Sequence, residues 1–108
     1  MAFKRIVVPY EGGTLSEDAL RLACGLAGDA TPVTAVYVVR TPPSMAIGAE
    51  GADEEVGRET LKRAWEIGWE LGANVETYLA KAPEVAEGIN EMAATLDADA
   101  IAEYMETL

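Results

Sequence analysis

Histidine is absent from the sequence, and cysteine occurs once, at Cys24. Without histidine the chain has no imidazole to activate a serine or cysteine nucleophile. A lone cysteine cannot form a disulfide within the chain. Because Cys24 lies in an apolar helical stretch, we expect it to be a buried packing residue. These absences argue against an enzyme.

Basic residues are also scarce, with 8 lysines and arginines against 19 aspartates and glutamates, for a formal net charge of −11. Nucleic acids and anionic membranes are bound through clustered basic side chains, so this balance excludes both as main partners. We expect no signal peptide and no membrane-spanning segment. A cytoplasmic protein without membrane insertion is therefore predicted.

Strand-like and helix-like segments alternate along the 108 residues, which suffice for one hydrophobic core. The strand-like segments are residues 3–8, which are almost all apolar, residues 33–39, rich in β-branched side chains, and residues 74–80, which alternate as at a sheet edge. Each is followed by a segment with helical spacing of apolar residues. This order predicts a single α/β domain over residues 1–108, with a parallel sheet and helices on both faces.

The longest predicted helix spans residues 53–72 and carries two apolar stripes. One stripe comprises Val56, Thr60, Ala64, Ile67 and Leu71, and the second comprises Leu61, Trp65 and Trp69. The second stripe indicates either core packing or contact with another chain. Acidic residues 53–55 suit the positive end of the helix dipole better than a metal site. The preceding residues 41–52 are predicted to form a mobile loop.

Residues 97–108 allow two interpretations. Their apolar spacing and composition favour a helix, whereas the α/β alternation places a fourth strand near residues 99–103. If this segment is helical, the first strand is left at an open sheet edge that invites pairing with another chain.

The turn Pro9-Tyr10-Glu11-Gly12-Gly13 follows the first strand. Parallel sheets bind ligands at the carboxyl ends of their strands, so the turn lies where a ligand is expected. It has no phosphate-binding glycine motif, and its glycines also suit a plain tight turn. Thr14-Leu15-Ser16-Glu17 then matches a capping box, which predicts that the Thr14 hydroxyl caps the first helix.

The sequence resembles the universal stress protein family along nearly its whole length. The similar segments are "FKRIVVPYEGGTLSEDALRLACGLA", "VTAVYVVR" and "GANVETYLAKAPEVAEGINEMAATLDADAI". The resemblance implies a three-layer Rossmann-like sheet of strand order 3-2-1-4. It also implies that Pro9 and Tyr10 offer backbone contacts to an adenine, that Glu11 faces the ribose hydroxyls and that Val38 lines the base pocket. The family's glycine-rich phosphate loop is expected to be missing, since Glu103, Tyr104 and Met105 stand where it would begin.

Two functions follow from this resemblance and from the residues. The first is a non-enzymatic stress-response module that works as a homodimer or through a protein partner, with no cofactor. The alternative is an adenine-nucleotide module that binds ATP or AMP at an incomplete or partner-completed phosphate site. No metal and no catalytic residue is predicted.

Overall fold

The computed structural model describes residues 3–28, 30–41 and 51–102, in which strands and helices alternate. The elements are β1 (Ile6–Pro9), α1 (Thr14–Ala27), β2 (Val33–Arg40), α2 (Gly51–Leu71), β3 (Val75–Ala82), α3 (Val85–Thr95) and β4 (Ala100–Ile101). The four strands are parallel and lie in the order β3-β2-β1-β4. The predicted fold class and strand order are confirmed.

The strand β1 is buried on both faces, as its continuous apolar run predicts. Ile6 and Val8 pack in the larger core cluster with residues of α1 and α2. Val7 points to the opposite face, where it packs with Ile89 and Met92 of α3. The sheet therefore separates two apolar layers, and β1 contributes to both.

The start of α1 differs from the predicted capping box. Its N-cap is Gly13, whose carbonyl accepts the Glu17 N–H at 3.1 Å, and no side chain caps the helix. The Glu17 carboxylate turns instead to the guanidinium of Arg63 on α2, at 3.3 Å. The Ser16 hydroxyl is also directed outside the helix, since it accepts the backbone N–H of Glu11. The capping-box prediction for Thr14 is therefore wrong.

The buried side of α2 coincides only in part with the predicted stripe. Gly57, Leu61, Ala64 and Ile67 are buried, whereas Val56 is 53% exposed and Leu71 is 50% exposed. Glycines let the helix approach the sheet closely, since a Cβ on Gly57 would lie 2.6 Å from Leu79 and one on Gly68 would lie 2.4 Å from Val75. The helix begins at Gly51, inside the predicted loop, and residues 42–50 of that loop lie outside the described residues.

The ambiguous segment forms a strand where it is described. In β4, Ala100 pairs with Ile6 and Ile101 pairs with Val7, so β1 is an inner strand. The carboxylate of Asp99 accepts the backbone N–H of Lys4 at 2.9 Å and fastens the start of β4 to that of β1. The fourth-strand interpretation is thus correct for residues 100–101, and residues 103–108 lie outside the described part.

Candidate functional site

A cavity of about 170 Å³ opens at the carboxyl ends of β1 and β2. The ends of these strands and the first turns of α2 and α3 surround it, as expected for a ligand crevice in a parallel sheet. The lining residues are Pro9, Tyr10, Glu11, Val36, Tyr37, Val38, Arg40, Asp53, Val85 and Ile89.

The turn after β1 is held in place by backbone hydrogen bonds. The N–H of Tyr10 donates to the carbonyl of Val36 at 2.8 Å, and that of Glu11 donates to the Ser16 hydroxyl at 3.2 Å. Gly12 and Gly13 follow at φ 91° and 86°, in the left-handed region that side chains disfavour. Two glycines are therefore required for the chain to pass from β1 into α1 at this point.

Tyr10 contributes its backbone to the cavity, because its side chain lies elsewhere. The ring is 2% exposed and packs in the core cluster of α1 and α2. Its hydroxyl has no hydrogen-bond partner among the described residues. Burial, followed by the nearby Glu17 carboxylate, raises the pKa of the Tyr10 hydroxyl. The backbone contact of Tyr10 with a ligand stays a prediction.

Acidic groups outnumber basic groups around the cavity. Glu11 and Asp53 both line the cavity, and their carboxylates add to the effect of burial in raising the pKa of the Tyr37 hydroxyl. Arg40, at the end of β2, is the basic residue of the lining. Its guanidinium also lies 3.9 Å from the carboxylate of Glu84, which precedes α3. The local charge therefore disfavours a polyanion.

The described part of the chain shows neither an exposed cysteine nor a metal-binding cluster beside the cavity. Cys24 is buried in the core, and burial raises the pKa of its thiol. Residues 3–28, 30–41 and 51–102 contain no group of three or more acidic or cysteine side chains placed to hold a metal ion. None of their helices has the length and apolarity needed to cross a membrane.

The structure places all four predicted site residues, Pro9, Tyr10, Glu11 and Val38, on the lining of the one cavity. Their role in ligand binding stays a prediction. Arg40 was missed, although it is the last residue of a strand whose carboxyl end was expected to face the ligand. Asp53, Val85 and Ile89 were also missed. They lie near the starts of α2 and α3, and no local sequence pattern predicts that these helix starts pack against the end of β2.

Solved structures similar to this chain share its fold. A universal stress family protein from Burkholderia pseudomallei is 29% identical with a TM-score of 0.77, covering 91% of this chain and 78% of that chain. The universal stress protein from Archaeoglobus fulgidus is 28% identical with a TM-score of 0.73, covering 94% and 74%. A universal stress protein in complex with cAMP is 19% identical with a TM-score of 0.56, covering 95% and 77%, which shows the fold alone.

The parallel order β3-β2-β1-β4, with a crevice at the end of β1, defines a Rossmann-like α/β protein. The model of the universal stress protein family matches residues 2–102, and the chain belongs to that family. No curated protein matches the chain at a significant level.

Proposed function

We propose that this universal stress protein is a non-enzymatic module of the stress response that binds an adenine nucleoside or nucleotide. The observation that carries the proposal is the cavity that Pro9, Tyr10, Glu11 and Val38 line together. In this arrangement the base lies against Val38, and the Glu11 carboxylate accepts hydrogen bonds from the ribose hydroxyls. The structural relative in complex with cAMP supports an adenine ligand.

The charge around the cavity predicts an order of affinity among the candidate ligands. All 8 basic residues of the chain belong to its described part, and of these Arg40 alone lines the cavity. Glu11 and Asp53 line the same cavity, and the Glu84 carboxylate lies 3.9 Å from the guanidinium of that single cation. Each added phosphate charge is therefore opposed, and we expect affinity to fall from adenosine to AMP to ATP.

Thermal unfolding with added ligand tests the proposal. Adenosine at about 100 times its dissociation constant should stabilise the protein by about 2.7 kcal/mol, which raises Tm by roughly 10 °C or more. Glu11→Gln should reduce this shift. Glu91→Gln is the matched control, because Glu91 is exposed on α3 and lies outside the cavity lining. Tyr10 is unsuitable for substitution, since loss of its buried ring would destabilise the core.

If adenosine, AMP and ATP at millimolar concentration all leave Tm unchanged, the proposal is wrong. Release of ADP from ATP at a rate that depends on Glu11 would contradict its non-enzymatic part. In the expected case, ATP stays intact during long incubation with the purified protein.

A second candidate function is contact with another protein, and the exposed pair Trp65–Trp69 favours it. The rings stack at a centroid distance of 5.6 Å while remaining 52% and 74% exposed. Exposed adjacent tryptophans mark interaction surfaces, because they bury large apolar area on contact. Core packing of this stripe, one of the two sequence interpretations, holds for Leu61 but not for the tryptophans.

The predicted homodimer is one form of this second candidate. The cytoplasmic location is a separate prediction. Sedimentation over a range of protein concentrations tests the homodimer, and fractionation of cells that produce the protein tests the location. A monomer at all concentrations that also captures no partner would remove protein contact as a function.

A further inference from the structure

The outer side of β3 has a pattern of unpaired backbone groups. Val33 N–H donates to the Asn74 carbonyl at 2.9 Å, and Thr41 N–H donates to the Ala82 carbonyl at 2.9 Å. Alternate residues of a parallel strand bond to the same neighbour, so the even-numbered residues of β3 face β2. The backbone N–H and carbonyl groups of Thr77 and Leu79 consequently point away from β2. In the described part of the chain, β3 pairs with β2 alone.

The same two residues line a groove of about 610 Å³, which we call the β3-edge groove. Its other lining residues come from α2 and are Arg58, Leu61, Lys62, Trp65 and Glu66. Leu61 is 6% exposed and forms an apolar floor. Trp65, backed by its stack on Trp69, forms the wall. An open strand edge thus runs beside an apolar trough.

Two cations and one carboxylate, that of Glu66, line the groove, so its lining has a net positive charge on an acidic protein. Arg58 and Lys62 lie one helical turn apart and supply two of the chain's 8 basic side chains. Arg58 pairs with Glu54 at 3.5 Å and Lys62 pairs with Glu59 at 2.9 Å, and both cations are exposed, whereas Glu54 is partly buried. Such pairs are worth only about 0.3–0.5 kcal/mol, so both cations can turn to a ligand carboxylate at little cost.

We propose that the β3-edge groove binds an extended segment of another protein, which adds to the sheet as a strand beside β3. Its backbone pairs with Thr77 and Leu79, its apolar side chains contact Leu61 and Trp65, and its acidic side chains meet Arg58 and Lys62. A second copy of the chain fits less well, because it brings a second charge of −11 and an identical net positive lining to the same edge. This inference rests on the second candidate function, contact with another protein.

Peptide binding can be read from the protein's own fluorescence, because its 2 tryptophans are the stacked pair at the groove. The probe is a short synthetic peptide in which valine and glutamate alternate, and its control carries lysine in place of glutamate. We expect the glutamate peptide to change the tryptophan emission saturably and the lysine peptide to bind at least about tenfold more weakly. Equal binding of the two peptides, or no response to either, overturns the proposal.

A backbone test separates strand addition from contact with the tryptophans alone. Thr77→Pro removes an outward N–H while sparing the bonds to β2, and edge strands tolerate proline. Thr77→Val keeps that N–H and is the matched control. We expect Thr77→Pro to weaken peptide binding at least about tenfold and Thr77→Val to leave it unchanged. Unchanged binding by a folded Thr77→Pro variant overturns strand addition.

Two further measurements decide the remaining cases. If Thr77→Pro fails to fold, the surface variant Arg58→Gln/Lys62→Gln replaces it. We expect this variant to lose the preference for the glutamate peptide over the lysine peptide, and an undiminished preference counts against the proposal.

Sedimentation tests whether two copies of the chain pair with each other. A dimer that Trp69→Ala dissociates but Thr77→Pro does not would preserve protein contact as a function and overturn strand addition. A dimer that Thr77→Pro dissociates would show that a second copy occupies the groove, and would overturn the assignment of the groove to a different protein.

Discussion

Replacing Gly88 by alanine should destabilise the protein, whereas the same change at Gly25 should stabilise it. Both glycines lie within helices, where alanine is favoured by about 0.5–1 kcal/mol. A Cβ built on Gly25 meets nothing within 4 Å. One built on Gly88 lies 2.7 and 2.8 Å from the two γ-methyl groups of Val38. The two sites therefore share the propensity gain but differ in steric cost.

The magnitude follows from how little Val38 can move. Because both of its methyl groups crowd the added carbon, rotating χ1 to another staggered position still leaves at least one methyl facing it. The Cβ of Ala82 is also near, at 3.3 Å from the built position, so α3 must shift away from β2. Overpacking of this kind costs about 1–3 kcal/mol. After the gain in helix propensity, we expect a net loss of about 1–2 kcal/mol for Gly88→Ala.

Urea and thermal unfolding followed by circular dichroism measure this difference. For a domain of this size, 1 kcal/mol corresponds to about 4–8 °C in Tm, so the two variants should separate clearly on either side of wild type. Because Val38, Val85 and Ile89 line the cavity, the shift of α3 in Gly88→Ala should also weaken the response to adenosine. Equal stabilisation by the two variants would refute the packing argument.

Three other substitutions probe the turn and the β1–β4 junction. Ser16→Ala removes the acceptor of the Glu11 N–H and should cost about 1 kcal/mol in urea unfolding. Thr14→Ala should cost almost nothing, since Thr14 makes no capping bond, and a loss as large as that of Ser16→Ala would restore the capping box. The N–H of Lys4, more than any other group, holds the pKa of Asp99 below its ordinary value of 3.8. The stability this gives is complete above about pH 3.8 and is lost as the pH falls through the folded pKa, so the gap between wild type and Asp99→Asn should narrow on acidification. A gap that does not change with pH would contradict this assignment.

The sequence pattern predicts β1, β2 and β3 well because each carries its own signal, whereas the apolar spacing of residues 97–108 favoured a helix and left β4 ambiguous. The apolar run of β1 requires burial on both faces, and the alternation in β3 is that of an edge strand. The stripe on α2 could not be predicted in the same way. Gly57 and Gly68 have no side chain and add nothing to an apolar pattern, yet they decide which side of the helix approaches the sheet.

The location of the candidate site was predictable, because the carboxyl ends of neighbouring parallel strands converge at one edge. Pro9 lies directly after the first predicted strand, whereas Val38 was predicted from the resemblance to the universal stress proteins. The charges around the site could not be predicted as readily, since Asp53 and Glu84 lie at helix starts that are distant in sequence from β1. The capping box failed for a different reason: Ser16 and Glu17 have partners outside the helix, at Glu11 and Arg63.

The position of β4 at the side of β1 has a consequence for folding during synthesis. The strands β1, β2 and β3 can pair as soon as each leaves the ribosome, because each new strand adds beside the previous one. The remaining side of β1 must wait for Ala100 and Ile101, and the contact between Lys4 and Asp99 closes a loop of 95 residues. Closing so long a loop costs more conformational entropy than pairing strands that are close in sequence, so we expect β4 to pair with β1 late. We therefore expect the nascent chain to keep an open edge on β1 until almost all of the sheet has been translated.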